Sequence, residues 1–330
     1  MNLQDFEKLL KEDNFEFLNK VKVNSLPKNF EYFIPEEMVF NLPYQKWDEL
    51  AKRNDLKIML GGYPSHLDSI YSEHGTVTNY YTFWLFDLIY QINFPNNKSF
   101  HELKNTKINK LGICLNNIPK LHRRMMMLKL EERQILDDLH YSWVTPTSRS
   151  SSYKIWKYER QPKLLDEMDM NSDLEKQFKI PNKYFESFID IVNETSVEIP
   201  FITEKTWKPL LLGRPFIVNG CMGYHHLLKK LGFELYDEIF DYEFDFQNLE
   251  YRISSIVNQV ADLKEKDFTQ LYKKLLPKIK YNQNVLFEYI ENRVGFEDVK
   301  IENINSEFQR EKFVKHIEVS KSFDRTKFEI

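Results

Sequence analysis

Glycine and cysteine are both scarce in this chain. Of its 330 residues, nine are glycine and two are cysteine. Cys114 and Cys221 provide neither a disulfide framework nor a zinc-binding pattern, and both adjoin apolar runs, so we expect buried free thiols. Four of the glycines fall in the short stretch 213–232. Because glycine serves where a backbone turns sharply or approaches a ligand closely, this clustering is a first indication of a site.

The sequence also lacks a long apolar run and a large charge of one sign. Its most apolar segment, residues 80–94, is interrupted by Asp87, Gln91 and Asn93 and is shorter than the ~20 residues that a membrane-spanning helix needs. Residues 1–17 lack the apolar centre of a signal peptide. The formal charge of −4 does not favour a whole-surface nucleic-acid binder. We therefore expect a cytoplasmic protein with no membrane span.

Apolar segments followed by turn residues alternate with helical patterns. This alternation predicts an α/β protein with mostly parallel sheets. Thr203 is placed to cap a helix through EKTWKPLLL, and Gly213 is placed to end it. The predicted strands are 56–60, 111–115, 187–193 and 214–220. Helices are predicted over 80–94, 125–139, 204–212, 223–232, 253–263 and 268–275. Residues 1–50 read as mixed and helical, and residues 65–79 as a loop.

Thr203, Glu204 and Lys205 stand at the start of one predicted helix. A helix N-terminus offers unpaired N–H groups and a partial positive charge, which suit a phosphate group. Lys205 adds a full charge, and Glu204 is able to accept hydrogen bonds from sugar hydroxyls. The alternative is purely structural, because a threonine cap followed by an acidic residue is a common way to begin a helix.

The wider run resembles the nucleotide-sugar motif of the alpha-1,3-fucosyltransferase family. E-T-S at 194–196, T-E-K at 203–205 and L-L-L-G-R-P-F-I-V-N-G at 210–220 match the order and spacing of that motif. Phe201 stands where the family usually has tyrosine, and Thr195 replaces its asparagine. T-E-K-T-W-K-P, R-P-F-I and H-L-L-K-K-L-G-F also resemble a looser group of bacterial and phage glycosyltransferase-like proteins.

A second segment, CLNNIPKLHRRMMMLKL, resembles the first strand, loop and helix of the same nucleotide-binding domain. In the family, an asparagine-containing loop precedes an arginine that holds the donor diphosphate, and Asn117 and Arg123 match these two positions. Arginine suits this role because it pairs with phosphate oxygens through two parallel hydrogen bonds. The resemblance covers roughly residues 107–290.

The resemblance implies two Rossmann-like domains facing a cleft, the GT-B type. We expect an N-terminal acceptor-side domain at 1–106, a nucleotide-sugar-binding domain at 107–300, and an extension at 301–330 that packs back. The implied reaction is inverting transfer of a sugar from a nucleoside-diphosphate donor to an acceptor hydroxyl, with no metal and no cofactor besides the donor. The implied donor-binding residues are Asn117, Arg123, Glu194, Thr195, Phe201, Thr203, Glu204 and Lys205.

The general base is expected in the first domain, as it is in the family. The loop after the first predicted strand offers His66, Asp68, Glu73 and His74, and loops at that end of a strand face the cleft in such folds. Glu73 is the first choice for taking the proton from the acceptor hydroxyl. Each of these side chains is alternatively a solvated loop charge.

Two other functions remain open. A non-catalytic nucleotide-sugar-binding protein would keep the fold and lack the base. A DNA-modifying sugar transferase would differ only in its acceptor, with Lys154, Lys157 and Arg160 lining a groove for the duplex. The acceptor is otherwise a glycan or another hydroxyl compound.

Overall fold

The computed structural model contains two compact units. The first comprises residues 1–90 and 289–323, and the second comprises 91–288 and 324–330. Both contain a parallel sheet, which confirms the predicted α/β class. The domain boundaries predicted at residues 106 and 300 stay predictions. The structure describes residues 30–34, 49, 52, 56–60, 77–79, 81–93, 106–116, 120–143, 163, 165, 180–198, 200–294, 296, 301 and 307–330.

The first unit contains a three-stranded parallel sheet in the order β1-β2-β3, at Phe30–Ile34, Leu56–Leu60 and Val77–Asn79. The predicted strand β2 is confirmed. The mixed and helical reading of 1–50 was wrong at β1, and the loop reading of 65–79 was wrong at β3. β1 and β3 become strands by pairing with β2, a contact between segments distant in the chain that no local pattern shows.

Helices α1 (Phe83–Asn93) and α7 (Glu307–Ser322) carry the described apolar core of the first unit. The ring of Phe86 meets that of Phe296 edge to face at 4.8 Å, and Phe83 meets His316 at 5.0 Å. Asp87 projects into this aromatic cluster. Its carboxylate accepts hydrogen bonds from His316 Nε2 at 2.9 Å and from Lys312 Nζ at 3.2 Å.

The second unit contains a four-stranded parallel sheet in the order β5-β4-β6-β7. The chain enters it at the inner strand β4, adds β5 on one side and then returns to place β6 and β7 on the other. The carboxyl ends of β4 and β6 are therefore the point at which the winding direction reverses. The elements are β4 (Lys110–Cys114), α2 (Leu121–Glu132), β5 (Leu139–Tyr141), β6 (Ser187–Asn193), α3 (Glu204–Leu212), β7 (Phe216–Asn219), α4 (Tyr224–Lys230), α5 (Leu249–Asp262) and α6 (Phe268–Glu291).

Close packing of β4 on β6 depends on Gly112. A Cβ atom at this position would lie 2.8 Å from Ile189 Cγ1 and 2.9 Å from the Ile189 carbonyl oxygen. β6 itself is buried at every residue. The two strands whose ends form the reversal point are thus fixed against each other in the centre of the sheet.

Helix α3 begins and ends as the sequence predicts. Thr203 has an extended backbone, and its side-chain oxygen accepts a hydrogen bond from the Lys205 N–H. Gly213 ends the helix in the left-handed conformation, with φ of 63°. Pro209 lies inside the helix, in its second turn, where it has no N–H to donate to the helical hydrogen bonds.

The helix predicted over 125–139 was wrong in its second half. α2 ends at Glu132, Gln134 takes a positive φ of 55°, and Leu136–Asp138 form a 3₁₀ turn before β5. Pairing of Leu139 with Gly112 overrides the helical pattern of this segment. Residues Met125–Met127 pack in the core, as predicted.

Cys114 and Cys221 are buried free thiols, which confirms the prediction for both. Burial raises the pKa of each thiol to about 12. Among the described helices, none combines the length and the apolar character needed to cross a membrane.

We expect Asp87→Asn to lower the free energy of unfolding by about 1–3 kcal/mol at pH 7, because a donor from α7 then meets an amide instead of a carboxylate. Burial raises the pKa of Asp87, but hydrogen bonds and charge from His316 and Lys312 outweigh it and hold that pKa below its usual value. The stabilisation is therefore complete above about pH 4 and is lost as the pH falls through the lowered folded pKa. Urea denaturation at several pH values measures this.

Glu318→Gln, at an exposed position on the same helix, is the matched control and should leave the unfolding free energy unchanged. Equal stability of Asp87→Asn and the parent protein at pH 7 would show that the ion pair does not hold α7.

Candidate functional site

Three adjacent parallel strands of the second unit end in linked asparagine side chains. The Asn193 amide donates to Asn116 Oδ1 at 3.1 Å, and the Asn219 amide donates to Asn193 Oδ1 at 2.9 Å. All three side chains are buried. Asn219 Oδ1, the last acceptor in this series of linked amides, has no hydrogen-bond partner among the described residues. The amide chain fixes the ends of β4, β6 and β7 where the winding direction of the sheet reverses.

The carboxylate of Glu194, directly after β6, is fully buried and lies among five donors. Oε1 is 2.6 Å from Thr206 Oγ1, 3.0 Å from the Tyr224 hydroxyl and 3.1 Å from the Thr203 N–H. Oε2 is 2.7 Å from Thr203 Oγ1 and 3.0 Å from the Thr195 N–H. Glu194 thereby joins the end of β6 to the starts of α3 and α4. We call these five residues the Glu194 cluster.

Lys205 lies on the open side of the Glu194 cluster, with 24% of its side chain exposed. Its ammonium group contacts Glu204 Oε1 at 2.6 Å, Thr195 Oγ1 at 3.2 Å and Thr203 Oγ1 at 3.3 Å. The Glu204 side chain is buried beside it. A lysine held at the N-terminus of α3 adds its charge to the positive end of the helix.

The start of α2 supplies three more basic side chains, which bind the backbone carbonyl groups after β6. Lys120 Nζ donates to the Thr195 carbonyl at 2.9 Å, and Arg123 donates to the Glu194 carbonyl at 3.2 Å and to the Asn193 carbonyl at 3.4 Å. His122 Nε2 lies 2.8 Å from the Glu194 carbonyl. A carbonyl oxygen only accepts, so His122 carries its proton on Nε2.

His122 is neutral at physiological pH. Burial lowers its pKa to about 3, with a further contribution from the charge of Arg123. The segment after β6 therefore faces two full positive charges from α2, those of Lys120 and Arg123, and a neutral imidazole between them.

The sequence-predicted donor residues divide into three groups. Arg123, Glu194, Thr195, Thr203, Glu204 and Lys205 come together at the ends of β4 and β6, although three separate segments supply them. Phe201 is buried, and its carbonyl oxygen lies 3.4 Å from the Tyr224 hydroxyl, so its described contact is with the cluster. Asn117 lies outside the described residues, as does Glu73, the predicted general base.

Several residues of the site were not predicted from the sequence. Tertiary contacts that no local sequence pattern predicts bring Lys120, His122 and Tyr224 to the site. The asparagines do carry a signal, because Asn116, Asn193 and Asn219 each follow or end an apolar strand in the sequence. A polar residue repeated at strand ends favours a shared edge of one parallel sheet.

His225 illustrates a different, purely structural use of a histidine and a carboxylate. The Val218 N–H donates to His225 Nε2 at 3.1 Å, so His225 carries its proton on Nδ1 and donates it to Asp245 at 2.7 Å. Asp245 also accepts the N–H groups of His225 and His226, so it caps α4.

The described residues include no group of three or more His, Cys, Asp or Glu side chains suited to a metal ion. Comparison with protein-family models, with curated proteins and with solved structures gives no match to this chain.

The arrangement combines two helix N-termini with the cations of Lys120, Arg123 and Lys205 at the reversal point of a parallel sheet. In open α/β sheets, ligands bind in the crevice at such a point, outside the carboxyl ends of the strands. The two carboxylates, Glu194 and Glu204, are engaged by protein donors. This edge is therefore suited to an anionic ligand, and phosphate is the anion that helix N-termini commonly bind.

We expect Glu194→Gln to lower the free energy of unfolding by about 2–4 kcal/mol, because the amide brings N–H groups against a site built from donors. Tyr224→Phe removes one of the five donors and should cost about 1 kcal/mol. Urea denaturation of the two variants measures both values.

The exposed Glu198→Gln serves as the control and should match the parent protein. An unfolding midpoint for Glu194→Gln equal to that of the control would refute a structural role for the buried carboxylate.

Proposed function

We propose that the protein is an inverting, metal-independent glycosyltransferase that moves a sugar from a nucleoside-diphosphate donor to an acceptor hydroxyl. The second unit would hold the donor, in a fold of the GT-B type with two Rossmann-like domains. The observation that carries the proposal is the convergence of Lys205, Arg123 and two helix N-termini at the reversal point of the parallel sheet. The resemblance of 194–220 to a nucleotide-sugar motif supports the same assignment.

The chemistry of the leaving group requires positive partners. Breaking the bond between sugar and diphosphate develops negative charge on the diphosphate, and fixed cations stabilise that charge without a metal ion. Lys120, Arg123 and Lys205 oppose the two carboxylates Glu194 and Glu204, which leaves a net charge of about +1 around the cluster.

Lys205 and Arg123 have different roles in the proposed donor site. Lys205 reaches solvent and is placed to meet a donor phosphate at the start of α3. Arg123 is buried and holds the carbonyl groups of residues 193 and 194, so it supplies charge from beneath the segment that the donor would contact. In this proposal Thr195, which both lysines contact, lies closest to the bound diphosphate.

The general base must come from elsewhere, because protein donors engage the carboxylate of Glu194 and that of the neighbouring Glu204. Glu73 is the proposed base. A protein that keeps the donor site and lacks this base would bind nucleotide sugars without turning them over, which is the alternative function. The residues suggested for a DNA acceptor, Lys154, Lys157 and Arg160, lie outside the described residues.

We expect Lys205→Ala to weaken the binding of a nucleoside diphosphate by about tenfold to a hundredfold, as loss of a hydrogen bond to a charged group implies. Thermal shift against a panel of nucleotides and nucleotide sugars first identifies the bound nucleotide, since a ligand of the folded state raises the melting temperature. Calorimetric titration then gives the dissociation constants of the parent protein and the variant.

Lys280→Ala, an exposed lysine on α6, is the matched control and should bind as the parent protein does. If the nucleotide affinity of Lys205→Ala equals that of the parent protein, the assignment of the donor site to the start of α3 is refuted.

We expect Glu73→Gln to reduce turnover by about 10²- to 10⁴-fold while leaving donor affinity unchanged, because a general base acts on the acceptor and not on the donor. Asp68→Asn, in the same predicted loop, is the matched comparison and should keep most of the activity. Turnover is measured as release of the nucleoside diphosphate in the presence of candidate acceptors.

If every donor binds and none is turned over by the parent protein with any acceptor, the non-catalytic alternative replaces the enzyme. If Asp68→Asn is the inactive variant, the base is assigned to the wrong side chain of the loop.

A further inference from the structure

A groove of about 480 Å³ opens on the second unit, between residues 237–241, the end of α5 and the start of α6. Phe240 and Leu263 form its buried apolar lining, and Ile239 and Leu271 are half-buried beside them. A concave surface with several apolar side chains is a common feature of protein interaction sites. We call this surface the Phe240 groove.

The Phe240 groove has an acidic rim. Four carboxylates line it, and one of them, that of Glu238, is paired with a lysine of α6 at 3.0 Å. The other three are exposed and outnumber the single lysine of the lining, Lys266: Asp237, Asp241 and Asp262. A partner that fits this groove therefore combines an apolar or aromatic side chain with flanking positive charges.

Helix α6 carries these features on its exposed side. Between Phe268 and Phe287 it contains four lysines and no acidic residue. Lys273 and Lys274 are exposed, and Tyr281 is 46% exposed. Lys274 and Tyr281 are seven residues apart and so lie on one side of the helix, with Lys273 at its flank. We call Lys273, Lys274 and Tyr281 the basic face.

The Phe240 groove and the basic face are neighbouring surfaces. Leu271 of α6 lines the groove, and Lys278, seven residues later, reaches the Leu235 carbonyl at 2.5 Å. Lys274 follows Leu271 by three residues and precedes Lys278 by four, and residues at these spacings are neighbours on a helix surface. An acidic concave surface and a basic convex surface thus lie side by side on the second unit.

We propose that the Phe240 groove of one copy of this chain receives the basic face of a second copy, in a closed twofold dimer. Charge complementarity identifies the occupant, because the exposed carboxylates of the groove and the lysines of the basic face have opposite signs. A twofold axis pairs each surface with its complement on the other copy, so both contacts form at once. Tyr281 supplies the aromatic side chain for the apolar lining, as tyrosine commonly does at interface centres.

The first test is sedimentation velocity of the full chain over a range of protein concentrations. We expect a dimer at about 50 mM salt and a dissociation constant about tenfold higher at about 500 mM salt, because salt screens exposed charges. We expect Tyr281→Ala to raise the dissociation constant by about tenfold at the lower salt, since it removes the aromatic anchor.

The second test reverses the charge of each surface. Asp237→Lys/Asp262→Lys makes the groove basic, and Lys273→Glu/Lys274→Glu makes the basic face acidic. Each double variant alone then opposes like charges at both contacts and should be monomeric. An equimolar mixture of the two opposes unlike charges at both contacts and should form a dimer again. Recovery in the mixture also shows that both variants fold.

Lys52→Glu/Lys321→Glu, which reverses two exposed lysines of the first unit, is the control for net charge and should dimerise as the parent protein does. A parent protein that is monomeric at low salt at every concentration overturns the proposal. A dimer that persists in both double variants, or folded variants whose mixture stays monomeric, overturns the pairing of these two surfaces. Species larger than two copies overturn the closed twofold arrangement.

Discussion

The buried carboxylate of Glu194 is the constraint on which the described site depends. A buried charge is costly unless donors surround it, and Glu194 obtains five of them from the ends of β6, α3 and α4. Satisfying one group therefore fixes three segments together. The position of Lys205 follows from this arrangement, because it shares Thr203 and Thr195 with Glu194.

The same edge of the sheet is fixed a second time by the amide chain of Asn116, Asn193 and Asn219. Each of these two hydrogen bonds joins neighbouring strand ends, so the amides set the relative positions of those ends. Gly112 adds close contact between β4 and β6 beneath it. Strand ends that are fixed in this way suit a ligand site, because the groups that meet the ligand need no rearrangement.

The proposed function depends on the balance of charge above these fixed strand ends. Lys120 and Arg123 come from α2, and Lys205 comes from α3, so two helices direct their positive ends and their cations to one place. The carboxylates beside them are engaged by the protein itself. The proposed division of labour follows from this, with phosphate held at the cations and the proton-accepting group supplied from elsewhere.

Local chemistry allowed the sequence to predict α3 with its threonine cap and glycine end, the central strands β4 and β6, and the buried thiols. It also predicted that Arg123, Glu194 and Lys205 belong to one site, through the resemblance of their motif. The strands β1, β3 and β5 were missed, because each becomes a strand by pairing with a partner distant in the chain, and no local pattern shows that pairing. Lys120, His122 and Tyr224 were missed for a related reason. Their contacts join segments up to 75 residues apart, and only the packing of the sheet decides which of them meet.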